Sequence, residues 1–118
     1  MTDLIACLSS GKGTWAEVSK IIDLGQWNKV FLITDNFGKE KFTPSKQAEF
    51  IIVNSSNDIQ ELAESIRDAL NNKLTDTEVA LNLASGNGKE HMAVLSAALK
   101  LGVGIRMISL TNNKIKEI

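Results

Sequence analysis

Short runs of continuous apolar residues alternate along this chain with longer stretches in which apolar positions recur at helical spacing. The first run is Leu4-Ile5-Ala6-Cys7-Leu8. Bounded by turn residues, such a run predicts a strand buried on both faces. Ser9 to Gly13 breaks the pattern. Thr14 stands three residues before Glu17, the spacing of a capping box. Val18, Ile21, Ile22 and Leu24 then give a helix one apolar face, and Gly25 occupies the place of a helix-ending glycine.

Lys29 to Thr34 predicts the second strand. Asp35 to Pro44 is polar, holds Gly38 and the only proline, and predicts a loop or short irregular connection, with Asp35 as a loop cap. Phe50 to Val53 is the third strand. Asn57 or Asp58 caps a helix whose buried stripe is Ile59, Leu62, Ala63, Ile66, Ala69 and Leu70, with Asn71-Asn72 as its stop. Glu78 to Leu83 is the fourth strand, Ala84 to Gly88 a second loop of small residues, and Glu90 to Leu101 an alanine-rich helix closed by Gly102. Gly104 to Leu110 is the fifth strand. Asn112-Asn113 signals a turn, and Ile115 to Ile118 offers a short last strand.

This order predicts an α/β fold with a mostly parallel sheet of five or six strands, helices on both faces and right-handed crossovers. At 118 residues the chain is one domain, 1–118, expected to bury a single core with no room for a second, and it shows no repeat or linker. Ligands of such sheets sit beyond the carboxyl ends of the strands, at the point where strand order reverses.

Charge narrows the partners. Thirteen basic and fourteen acidic residues give a net charge of −1, spread evenly over both halves. Duplex DNA binding through a broad positive face is therefore not expected. The single cysteine, Cys7, excludes an internal disulfide and a cysteine-rich zinc site, and reads as a small buried hydrophobe. No apolar stretch approaches the roughly 20 residues of a membrane span, and Met1-Thr2-Asp3 carries no basic leader. A cytoplasmic protein without membrane contact is the expectation.

Two loops carry candidate chemistry: Leu8-Ser9-Ser10-Gly11-Lys12-Gly13-Thr14 and Asn82-Leu83-Ala84-Ser85-Gly86-Asn87-Gly88-Lys89. Each joins glycine, hydroxyl side chains and one lysine at a helix start. Glycine lets backbone approach a ligand, amides at the helix start donate outward, and the helix dipole with a lysine favours an anion. Phosphate is the natural guest. The plainer account is that both are ordinary turns with solvated lysines.

Gly11-Lys12-Gly13-Thr14 looks like the end of a Walker A loop, but Ala6 stands where its first glycine belongs and Gly13 follows the lysine. Neither Ser10 nor Ser85 sits in Gly-x-Ser-x-Gly, so a hydrolase elbow is absent. His91, the only histidine, is a candidate acid/base beside the second loop, or a plain helix residue. No metal site and no cofactor are expected. Asn36 and Phe37 follow the second strand, where Phe37 can meet a base. Trp15 and Trp27 bracket the first helix and are expected to pack at its ends, though Trp15 can also stack on a base or a second subunit.

The run Asn82 to Lys89, leading into a helix through Met92, resembles the signature of CRISPR-associated Rossmann-fold (CARF) domains. There a late strand ends in Asp or Asn, followed by a serine- and glycine-containing loop, a basic residue and a helix. Ser9 to Thr14 is similar to the family's other ligand loop. The resemblance implies a Rossmann-like three-layer sandwich and a cytoplasmic homodimer that binds a cyclic oligoadenylate across its two-fold axis in antiviral defence. Ser10, Gly11, Lys12 and Thr14 would then line one side of the ligand. Asn82, Ser85, Gly86 and Lys89 would line the other, with Ser9, Gly13, Asn36, Asn87 and Gly88 completing the candidate set. Two departures stand out: the spacing from Asn82 to Lys89 is about one residue longer than the common pattern of the family, and these 118 residues contain no effector.

A sensor and a metal-independent ring nuclease both fit that layout. In the second, a ribose 2′-hydroxyl attacks in line and a lysine stabilises the charge. The alternatives are another nucleotide- or phosphometabolite-binding α/β protein, with His91 as catalyst if an enzyme, and an interaction module without a ligand.

Overall fold

The computed structural model describes residues 2–8 and 14–118. The elements are β1 (Thr2–Cys7), α1 (Trp15–Leu24), β2 (Trp27–Thr34), α2 (Asn36–Lys41), β3 (Glu49–Ile52), α3 (Ile59–Leu70), β4 (Glu78–Asn82), α4 (Gly88–Lys100), β5 (Gly104–Thr111) and β6 (Lys114–Glu117). They form a six-stranded sheet of order β3-β2-β1-β4-β5-β6. The first five strands are parallel and β6 is antiparallel to β5. The α/β architecture predicted from the alternation is therefore the one observed, a Rossmann-like sandwich.

Strand β1 is buried along Leu4 to Cys7 because both its faces are covered. Its odd side, Ile5 and Cys7, joins Phe31, Ile33, Ile51, Val79 and Leu81 under α3 and α4. Its even side, Leu4 and Ala6, joins Leu32, Ala80 and Ile108 under α1. The period of two along each strand thus supplies a core on each face of the sheet, two clusters where chain length alone predicts one. Each Leu or Ile removed fully from water contributes about 1.5–3 kcal/mol. Helix α4 meets the sheet through Ala93, Val94 and Ala97, all without exposure, and its small residues permit that close approach.

Several expectations are corrected. Asp35 to Pro44 is not all loop: it holds α2, started by Asp35, whose Oδ1 accepts from the Gly38 amide at 2.9 Å. Leu24 and Ile59, expected on buried faces, are 46% and 36% exposed. At the end of α1, Trp15, Val18, Ile21 and Ile22 already fill the inner stripe. Gly25 does not take a left-handed conformation; its φ is −83°. It is small because an added Cβ would lie 2.3 Å from the Trp27 ring, whose Nε1 donates to the Ile21 carbonyl at 3.0 Å. The Asn112-Asn113 turn has φ of 53° and 59°, the left-handed pair that joins twisted hairpin strands.

At the amino edge of the sheet, Asp3 is fully buried yet paired. Its carboxylate accepts from the Thr75 amide at 2.6 Å and the Thr75 hydroxyl at 2.7 Å. This clip holds the α3–β4 connection against β1. Among the described residues no helix is long and apolar enough to cross a membrane.

Candidate functional site

Strand order reverses between β1 and β4, which pair directly with Ala6 opposite Asn82. The chain runs outward from β1 through β2 and β3 on one side, then continues from β4 through β5 on the other. The loops after β1 and β4 therefore leave neighbouring strands at one carboxyl edge, where a doubly wound sheet opens its ligand crevice. Ser9, Ser10, Gly11, Lys12 and Gly13 lie outside the described residues.

Thr14 precedes α1 but makes no side-chain capping bond, so the box expected with Glu17 does not form. Glu17 turns instead towards β4, where its Oε2 accepts from Asn82 Nδ2 at 3.3 Å. Asn82 Nδ2 also donates to the Ile108 carbonyl at 3.0 Å, and its Oδ1 accepts from the Ala84 amide at 3.3 Å. Asn82 is buried and all its carboxamide atoms are engaged. It acts as a junction of α1, β4 and β5 rather than as a ligand-facing group. Spacing alone could not reveal this, because Glu17 and Ile108 lie far from Asn82 in sequence.

The β4–α4 loop is built by its own side chains. Ser85 is buried, and its carbonyl accepts from His91 Nε2 at 2.8 Å. A carbonyl only accepts, so in that contact Nε2 is the donor. Gly86 has φ of +102°, a conformation for which a side chain is strained. Asn87 caps α4 in a complete capping box. Its Oδ1 accepts from the Glu90 amide at 2.9 Å, and its own amide donates to Glu90 Oε1 at 3.0 Å. This leaves the Gly88 and Lys89 amides as the outward donors of the first turn. Among the described residues, nothing lies within 4 Å of a Cβ added at Gly88.

Lys89 reaches the β3–α3 turn. Its Nζ donates to the Ser55 carbonyl at 3.1 Å, and the residue is exposed. Next to that turn is an open hollow of about 530 Å³, lined by Asp35, Asn36, Phe37, Ile52, Asn54 and Ser55 among others. Asn36 is exposed at the first position of α2. Trp15 is buried in the core under α1, its ring 5.7 Å from Phe42 and 6.0 Å from Phe37. It packs rather than presenting a face to a base.

Below the rim, burial first and the Glu90 charge second push the Cys7 thiol up to about 12. It stays protonated and is no nucleophile. Among the described residues no group of three or more His, Cys, Asp or Glu is placed to hold a metal ion. The residues missed by sequence reasoning are Glu17, which reads locally as a capping partner, and Asn54 and Ser55, which read locally as a turn. No family model matches the chain, and no curated protein matches it.

Proposed function

We propose that this protein binds a cyclic oligoadenylate at the carboxyl edge of β1 and β4, as a homodimer that presents its loops twice around the ring. The observation that carries the reading is the direct pairing of β1 with β4, which starts both glycine-serine-lysine loops from adjacent strands at the fold's reversal point. Support also comes from the space at Gly88, where no described residue lies within 4 Å of an added Cβ, from the two outward amides at the start of α4 and from the exposed Lys89 ammonium. A phosphate there accepts from backbone donors and gains from the helix dipole. A cyclic ligand of even symmetry matches a two-fold pair of such rims, so every donor and lysine acts twice.

The rim also has acidic neighbours, Glu17 and Glu90. Each is held in a hydrogen bond, Glu17 to Asn82 and Glu90 to Asn87, and a bound ring therefore relies on the lysines and amides to offset them. Thermal unfolding with cyclic tetra-adenylate, cyclic hexa-adenylate and ATP tests the reading. A cyclic ring is expected to raise Tm well above the shift given by ATP. A larger shift with ATP would favour another nucleotide-binding role, and no shift with any of them would remove the ligand altogether. A linear product formed without metal would make the protein a ring nuclease rather than a sensor.

A further inference from the structure

We infer that the hollow between α2 and the β3–α3 turn takes an adenine base, with Asn36 and Asn54 reading its edge and Phe37 and Ile52 offering it an apolar surface. The inference rests on the preceding reading of the rim and extends it to the recognition of the base.

Position is the first argument. Lys89 Nζ lies 3.1 Å from the Ser55 carbonyl, and Ser55 lines the hollow. The rim's cation thus stands at the mouth of the hollow. A phosphate drawn to Lys89 leaves its nucleoside beside that mouth.

Surface is the second. Phe37 and Ile52 are 39% and 38% exposed, two of the few large apolar side chains left in water, and both line the hollow. A base has an apolar face that gains from such a surface, and aromatic side chains are the usual platform for it.

Edge chemistry is the third. Adenine offers an amino donor beside ring-nitrogen acceptors, and a carboxamide matches that pair. Asn54 Oδ1 already accepts from the Ser56 amide at 3.0 Å and the Ser56 hydroxyl at 2.7 Å. Those bonds fix the side chain and leave its Nδ2 to donate to a ring nitrogen. Asp35 uses Oδ1 on the Gly38 amide, so its second oxygen and the Asn36 carbonyl remain to accept from the amino group. Hypoxanthine carries a carbonyl in place of that amino group and would set oxygen against the Asp35 carboxylate.

The test is backbone-amide NMR of the whole chain titrated separately with AMP, inosine monophosphate and cyclic tetra-adenylate. AMP or the ring is expected to move the amides of residues 36–37 and 52–55. Asn54→Ala, folded by the same spectra, should weaken AMP binding about tenfold, and inosine monophosphate should bind about tenfold more weakly than AMP. If neither AMP nor the ring moves those amides, or Asn54→Ala binds AMP unchanged, the base pocket is wrong. Equal affinity for AMP and inosine monophosphate overturns the adenine assignment. Ring binding that leaves these amides still overturns the pocket and keeps the rim reading. AMP shifts here without any ring binding keep the pocket and overturn the rim reading.

Discussion

The Asn82 carboxamide donates to the Glu17 carboxylate across 3.3 Å, tying the end of β4 to the first turn of α1. The two candidate loops are thereby fastened at their roots by one side-chain contact, 65 residues apart in sequence. Asn82→Ala removes that tie and strands the buried Ile108 carbonyl and the Ala84 amide. A loss of about 1–3 kcal/mol in chemical denaturation is expected. Glu17→Gln retains an acceptor, so its stability should stay within about 0.5 kcal/mol of the parent. Because it also deletes a carboxylate beside the rim, it should bind an anionic ligand more tightly than the parent in a calorimetric titration.

Two glycines of one loop should respond oppositely to alanine. Gly86→Ala forces a side chain onto φ of +102° and sets its Cβ 3.0 Å from Glu90 Oε1 and 3.1 Å from His91 Nε2. A cost of about 1–3 kcal/mol in thermal or urea unfolding is expected. Gly88→Ala, at the first position of α4, places a Cβ with no described residue within 4 Å. It should raise stability by about 0.4–1 kcal/mol while weakening ligand binding, since the methyl stands where a phosphate approaches the helix start. Unchanged affinity in Gly88→Ala would deny that approach.

Gly38 lies against the end of β2. An alanine Cβ there would fall 1.8 Å from Thr34 Oγ1, so Gly38→Ala should cost about 1–3 kcal/mol by overpacking. Adding Thr34→Ala should restore part of the loss, a coupling that a double-mutant cycle reads directly. Thr34 Oγ1 is itself buried without a hydrogen-bond partner among the described residues. Thr34→Val alone should therefore leave stability unchanged or raise it by about 1 kcal/mol.

Cys7 sets an alkaline limit. Its thiol holds its proton in the fold up to about pH 12, whereas an ordinary thiol loses it near 9. Between those values the native state binds more protons than the unfolded one, so stability falls as pH rises. The contribution is intact below about pH 9 and gone by about pH 12. Urea titrations from pH 7 to 11 should show this decline, smaller in Cys7→Ala. Native protein at pH 8 should react with a thiol reagent only as fast as it unfolds.

What was legible in the sequence was whatever local pattern dictates. Leu4 to Cys7 could only be a strand covered on both sides, and Asp58 and Asn71 mark the ends of α3 where they were read. Helix α2 escaped because six residues, Asn36–Lys41, are too few to show a helical period. The site was less legible, for a different reason. Its residue types raise the expectation of a phosphate guest, but side-chain direction is set by distant partners. Glu17 is drawn to Asn82, and Lys89 to Ser55, 34 residues away. Asn87, expected among the ligand contacts, is occupied by the capping box with Glu90.

Isothermal titration of the purified chain with cyclic tetra- and hexa-adenylate is the decisive measurement. One of these rings should bind saturably at about one ring per two chains, and more weakly to Lys89→Ala and Gly88→Ala. Absence of binding by either ring, or binding that both variants leave untouched, would overturn the proposed ring site.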